Sequence, residues 1–269
     1  MVELKEKERL EETLEPKGYL QYTPYKDVLA RKRLAAVVER VSRFARETQE
    51  YHLKILDLGC GIGGMTFPLS YLGHTVVGVD VDSQSIGDCN SKNTFPNATY
   101  QVGDIANLDL AEQFDVVICS EVLEHSSQPD LILQTIRRHL APDGIAIVTI
   151  PNGYCFYELV FSRLFQKLGI TTLFHRLPSR MYRALTGSPS PYHSLNIFCG
   201  HVQFFTLRRF TRLLGECGFQ LLDIGNLSLG LFLDWKWLSP LRHLECKLAD
   251  FVPHAVAGGW VFIIKKGEA

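Results

Sequence analysis

The residues best suited to chemistry fall in two stretches. Glu121, Glu124 and His125, in the run SEVLEH, set two carboxylates and an imidazole within about one helical turn of one another. A histidine of ordinary pKa, about 6.5, accepts a proton at neutral pH. Glu and His side chains also hold divalent cations while leaving coordination positions open for a hydroxyl. The second stretch is KILDLGCGIGG, Lys54 to Gly64, followed by TVVGVD ending at Asp80. It sets two carboxylates, Asp57 and Asp80, around a glycine-rich turn. A small-molecule ligand is expected there, beside a group able to move a proton.

The elements that must position these residues follow from the pattern. The apolar run Ile55, Leu56 and Leu58 predicts a buried strand, and the abrupt change to Gly59, Gly61, Gly63 and Gly64 predicts a tight turn. Helix-compatible residues from Met65 to Leu72 follow, so the turn opens into a helix whose first N–H groups face the ligand. Gly59, Gly61 and Gly64 also fit the G-x-G-x-x-G dinucleotide fingerprint, with Asp80 at the spacing of a ribose-binding acid. Asp57 decides between cofactors, because a carboxylate two residues before the first glycine disfavours a pyrophosphate there. S-adenosylmethionine has no phosphate, and its ammonium and sulfonium favour a nearby carboxylate. A nicotinamide oxidoreductase is the weaker alternative.

The chain resembles the class I S-adenosylmethionine-dependent methyltransferases over roughly residues 50 to 225. The glycine stretch looks like that family's first motif, and further landmarks follow in order: Asp80, GDI at Gly103 to Ile105, FDVVICSEVLEH at Phe114 to His125, and LAPDGIAIVTIPN at Leu140 to Asn152. The resemblance implies a Rossmann-like α/β fold, with a mostly parallel seven-stranded sheet, helices on both faces and an antiparallel last strand. It implies cofactor contacts from Asp57, Gly59, Cys60, Gly61, Gly63, Asp80, Val81, Asp104, Ile105 and Glu121, with Asp80 on the ribose and Asp104 on the adenine amino group.

Glu121, Glu124 and His125 reproduce the E-x-x-E-H pattern of the quinone-biosynthesis O-methyltransferases, and HVQFFTLRRFTRLLGECGF from His201 is common in that quinone- and lipid-modifying branch. The small-RNA 3′-end methyltransferases are similar at the first of these segments. There two Glu and two His bind a divalent cation, and His201 lies where the second His is expected. Three readings stay open: a magnesium, manganese or zinc ion on Glu121, Glu124, His125 and His201; His125 as a base with Glu124 beside it; or a plain helix cap.

Strands are expected near residues 54–58, 75–80, 99–102, 115–119 and 145–150, and helices near 64–72, 83–92 and 129–140. A helix from Asp27 to Arg46 shows apolar residues at helical spacing, with its Arg and Glu residues facing solvent. The expected organisation is a helical segment or lid over 1–50, a core over 51–226 with an insertion at 153–200, and a second insertion and last strand over 227–269, all in one domain. Tyr19, Tyr22 and Tyr25 either pack or line a substrate mouth.

Composition limits the partners. A net charge of −1 gives no general attraction to nucleic acid, which weighs against the RNA-end reading. Seven cysteines without a C-x-x-C pair suggest buried thiols rather than a disulfide framework or a zinc site. The charged amino terminus and the absence of a long apolar run fit a cytoplasmic protein. The acceptor is expected to be small or lipid-like: a quinol, a glycolipid or sugar, or a phenol. The apolar run from Tyr154 to Leu168, with Arg163 and Lys167 in it, either packs on the core or makes a peripheral membrane contact. A non-catalytic S-adenosylmethionine-binding protein on the same fold is the alternative outside the enzymes.

Overall fold

The computed structural model describes residues 18–155, 167, 201–231 and 239–267. The charged amino-terminal run, nearly all of the insertion at 153–200 with most of the Tyr154 to Leu168 run that either packs on the core or meets a membrane, and Trp235 and Trp237 lie outside the described residues.

After a 3₁₀ turn at Gly18–Gln21 come helix α1 (Val28–Thr48), strand β1 (Lys54–Leu58), α2 (Thr66–Tyr71), β2 (Thr75–Asp80), α3 (Ser83–Lys92) and β3 (Ala98–Val102). Strand β4 (Phe114–Ser120), a 3₁₀ turn at Leu123–His125, α4 (Pro129–His139) and β5 (Leu140–Pro151) follow. The rest comprises α5 (Leu207–Glu216), β6 (Phe219–Ser228), α6 (Ser239–Leu248), two 3₁₀ turns and β7 (Gly259–Lys266).

The seven strands lie in the order β3-β2-β1-β4-β5-β7-β6. Pairings among the first five are parallel, and β7 runs antiparallel to both β5 and β6. The central strands are apolar on both faces because both are covered. Leu56, Val117, Val148 and Phe262 share a core with Leu133 and Ile136 of α4 and Phe210 of α5. Ile55, Ile118, Ile147 and Ile263 pack on the other face with Leu34, Val37 and Val41 of α1 and Leu69 of α2.

Two elements differ from expectation. Strand β5 starts at Leu140, not near 145: Leu140 already pairs with Phe114, and the residues before Ile145 bulge out before regular pairing resumes at Val116. Gly144 makes this possible, since a Cβ there would come 2.7 Å from the Asp115 carbonyl oxygen. Helix α1 forms as its apolar spacing requires, with Asp27 capping it by accepting from Ala30 N at 2.6 Å. Its cations do not all face solvent, however. Arg33 and Arg40 are largely buried and reach Glu121 and Asp223 at 2.8 and 3.7 Å.

The start of β1 depends on a neutral imidazole. His74 is buried and accepts a hydrogen bond from Leu53 N at 3.3 Å through Nδ1, and burial, with His52 a lesser cause, pushes its pKa down to about 4. The unfolded chain therefore binds a proton at this histidine between about pH 6.5 and 4 that the folded chain does not. Stability should be full above that window and fall as pH drops through it. Urea midpoints at pH 7 and 4.5 test this: the loss between the two should be smaller in His74→Asn than in the wild-type protein.

Candidate active site

The carboxyl ends of β1, β2 and β4 meet at one edge of the sheet, where open α/β sheets bind ligands. Gly59, Gly61 and Gly63 have φ of +74°, +50° and +79°, which bends the chain sharply after β1. The bend is held against β2: Gly59 N and Cys60 N both donate to the Val79 carbonyl, at 2.8 and 3.1 Å. The Asp80 carboxylate accepts from Gly61 N at 2.8 Å and from Asp82 N at 2.9 Å. A cleft of about 420 Å³ opens beside this turn. Its lining includes Gly59, Asp80, Val81, Asp104, Ile105, Glu121, Val122 and His125.

Six of the residues expected to hold the cofactor thus line one cleft: Gly59, Asp80, Val81, Asp104, Ile105 and Glu121. Asp57, Cys60, Gly61 and Gly63 do not line it. Asp57 is 2 % exposed and accepts a 2.7 Å hydrogen bond from Thr66 Oγ1. Burial, partly offset by that bond, raises its pKa to about 7, with the Asp80 charge adding to the rise. Cys60 is buried with its sulfur 2.9 Å from where a Cβ on Gly78 would lie, and a Cβ on Gly63 would lie 2.6 Å from the Phe67 ring.

The first residues of the helix after the turn do not line the cleft. Helix α2 has only six residues, and its approach is taken by the segment before α1. Thr23 Oγ1 donates to the Gly64 carbonyl at 3.0 Å, and a Cβ on Gly64 would lie 2.0 Å from the Tyr25 ring. Tyr19 is buried and Tyr22 stacks on Tyr71, so of these three tyrosines Tyr25 alone reaches the turn. Burial pushes the Tyr25 hydroxyl up to about 12, with Arg33 opposing the rise and Asp57, Asp27 and Glu121 adding to it.

After β4 the chain turns at Glu121, whose φ of +57° is costly for a residue with a side chain, about 1–2 kcal/mol. Three contacts hold it. Arg33 Nη1 lies 2.8 Å from Oε2, Thr149 Oγ1 donates to Oε1 at 3.1 Å, and Glu121 N donates to the Thr149 carbonyl at 3.0 Å. Ser120 Oγ lies 2.9 Å from Thr149 Oγ1 and so must be the donor to it, since the Thr149 proton is already used. Sequence reasoning misses Arg33, which lies in no motif, and Thr149, which lies within the LAPDGIAIVTIPN landmark but carries no role there.

The Leu123–His125 turn then separates Glu124 from the rim it was expected to share with Glu121. Glu124 is 0 % exposed, and among the described residues neither of its carboxylate oxygens has a hydrogen-bond partner. Its backbone carbonyl accepts from Val202 N and Gln203 N at 2.9 and 3.0 Å, which brings His201 alongside. The His125 and His201 rings sit edge-to-face at 4.9 Å, and His125 Nε2 lies 3.8 Å from Glu124 Oε1. One ligand atom from each of Glu124, His125 and His201 lies within 4.8 Å of the others. Burial first, and Glu121 second, hold the Glu124 carboxyl well above the usual carboxylate range, while His201 and Arg33 pull the other way. Glu121, the fourth expected ligand, turns instead toward Arg33.

A mostly parallel sheet of this strand order, with a glycine turn after β1 and acids ending β2 and following β3, defines a Rossmann-like methyltransferase domain. Residues 29–224 match the family described as "Methyltransferase domain", and the chain belongs to that family. Among curated relatives, the ubiquinone biosynthesis O-methyltransferase of Rickettsia canadensis is 30% identical over 122 residues, 45% of this chain and 51% of the relative. The mitochondrial enzyme of that name from Mus musculus is 36% identical over 107 residues, 37% of this chain and 29% of the relative. The chain thus spans about half or less of the length of these relatives.

Solved structures agree on the fold. Magnesium protoporphyrin IX methyltransferase from Synechocystis with bound SAH has a TM-score of 0.54 at 16% identity, covering 88% of this chain and 84% of that one. The Burkholderia thailandensis 1,6-didemethyltoxoflavin-N1-methyltransferase, with bound 1,6-didemethyltoxoflavin and S-adenosylhomocysteine, also has a TM-score of 0.54 at 16% identity, covering 90% of this chain and 80% of that one. No helix among the described residues is long and apolar enough to cross a membrane.

The Asp57 environment gives a test of the turn. A buried carboxylate with a raised pKa leaves the folded chain holding a proton that the unfolded chain has lost, so its contribution falls as pH rises from about 4 to about 7. Asp57→Asn removes that ionisation while keeping an acceptor for Thr66. The ligand-free variant should melt above the wild-type protein at pH 8, and the gap should close toward pH 4.5. Scanning calorimetry at the two pH values measures it.

Proposed function

We propose that this chain transfers the methyl group of S-adenosylmethionine to a hydroxyl oxygen of a small or lipid-like acceptor, a quinol or related phenol first among them. The observation that carries this reading is the group at the mouth of the cleft. A fully buried carboxylate, whose oxygens have no hydrogen-bond partner among the described residues, lies against two imidazoles, one of which, His125, lines the cleft. The acceptor class draws on the O-methyltransferases among the relatives, whose E-x-x-E-H pattern is present as Glu121, Glu124 and His125.

The cofactor's ribose hydroxyls would meet Asp80 and its adenine would lie along Asp104 and Ile105, which line the same cleft. Its amino-acid end carries a carboxylate, and Arg33 offers a buried guanidinium beside Glu121 whose Nε has no partner among the described residues. In the reaction the S–CH₃ bond breaks as the O–CH₃ bond forms in line with it, leaving a neutral thioether. Aligning the two reactants supplies about 7–11 kcal/mol of the barrier. The acceptor proton passes to His125.

Glu124, His125 and His201 also suit a divalent cation, because their donor set is the Glu and His mixture such ions take, and the Glu124 oxygens have no hydrogen-bond partner among the described residues. A cation held there would lower the pKa of the acceptor hydroxyl and orient it. The second reading, His125 as a lone base, is favoured by its side chain being 31% exposed on the cleft wall while Glu124 is fully buried.

A methyl-transfer screen against pooled quinols, phenols, sugars and lipids tests the activity itself, and no transfer to any oxygen acceptor would overturn it. A chelator then separates the two readings. With a cation, activity vanishes on chelation and returns with magnesium, manganese or zinc, and His201→Ala loses about as much as His125→Ala. With a lone base, the chelator does nothing, His125→Ala regains rate at high pH, and His201→Ala stays near the wild-type rate.

A further inference from the structure

The loop between β3 and β4 has no regular secondary structure, yet it carries Asp104, Ile105 and Ala106 into the cleft. Among the described residues, the loop's internal hydrogen bonds lie near its start. Asp104 accepts from Ala106 N at 3.0 Å and from Asn107 Nδ2 at 2.7 Å, and Gly103 N donates to the Asp80 carbonyl at 3.0 Å. The remainder is held from outside, by α4. Thr135 Oγ1 donates to the Ala106 carbonyl at 3.3 Å, Arg138 Nη1 to the Leu108 carbonyl at 2.7 Å, and Leu110 N donates to His139 Nε2 at 2.8 Å. Positions 135, 138 and 139 form one stripe of a helix, and they engage every second residue of the loop.

His139 is the demanding member of this set. It is 1% exposed, and both ring nitrogens are used. Nδ1 lies 2.8 Å from the Thr135 carbonyl, which can only accept, so Nδ1 carries the proton. Nε2 receives the Leu110 N–H and so must be bare. One neutral tautomer satisfies both contacts, and it links α4 to the loop's far end. The same helix places Ile132 in the cleft wall.

We propose that His139, seconded by Thr135 and Arg138, is a positioning residue for adenine recognition: it sets the loop so that Asp104 faces the base. This rests on the reading above that Asp104 accepts from the adenine amino group. The probes are S-adenosylhomocysteine and S-inosylhomocysteine, which carries a 6-oxo group that cannot donate to a carboxylate. Calorimetry should show wild-type protein preferring the adenosyl compound. His139→Leu should weaken adenosyl binding by about tenfold, the size of one lost buried hydrogen bond, and shrink the preference. His139→Gln, which keeps a donor and an acceptor, should recover most of both.

Should His139→Leu not fold, Arg138→Met removes the neighbouring bond at an exposed position and should shrink the preference in the same direction. A folded His139→Leu or Arg138→Met protein with the wild-type preference, even one of lower Tm, overturns the proposal, since the clamp is then only structural. A wild-type protein without preference for the adenosyl compound overturns the Asp104 reading instead.

Discussion

Everything at the sheet edge depends on the carboxylate of Asp80 meeting the amide of Gly61. A strand that ends in a bend of three positive-φ glycines has no intrinsic reason to stop in one place, since glycine is costly to order. The backbone bonds to Val79 and the charged bond to Asp80 supply that reason. They fix the bend to the end of β2, with Asp80 itself left at the cleft wall. A single residue therefore shapes the site and remains available to a ligand, because each carboxylate oxygen accepts more than one hydrogen bond.

A second set of ties comes from α1. The ion pair of Arg33 with Glu121 and the bond from Thr23 to Gly64 join a segment before the first strand to the loops after β1 and β4. The pair is largely buried, so solvent screening weakens it little, but burial also costs each charge its hydration. Such a pair brings more to geometry than to stability. It holds Glu121 in a backbone conformation that the residue would not choose by itself.

The parts legible in the sequence were those written as local patterns. Strand β2 and helix α3 fall where the periodicity places them, and Gly59, Asp80 and Asp104 come together because each ends or follows a parallel strand on the same edge. The glycine spacing identified the turn but not what covers it, since Tyr25 lies far upstream of Gly64 and no helical pattern distinguishes a tyrosine on a loop. Arg33 was read as solvent-facing because a helical period separates apolar from polar residues and says nothing of a cation on the flank that meets an acid from another element. His201 was anticipated only through resemblance. Its place beside Glu124 arises from two backbone amides reaching a carbonyl, which leaves no trace in side-chain pattern. Strand β5 extends beyond the apolar run near 145–150, because pairing to Phe114 has already begun at Leu140, across a Pro-Asp-Gly stretch that carries no strand pattern.

The order of strands also constrains how the molecule is made. Strand β7 follows β6 in the sequence but lies between β5 and β6, with Asn152 bonding the Ala257 carbonyl across 105 positions of chain. A ribosome delivers β5 and then β6 well before the strand that joins them. During that interval β5 presents an apolar open edge, the kind that invites pairing with other chains. The buried tryptophan and phenylalanine of β7, Trp260 and Phe262, complete both halves in one step. Nascent chains of this protein should therefore need shielding until β7 has left the exit tunnel, and premature termination before Gly259 leaves a five-stranded sheet and β6 without the strand that unites them.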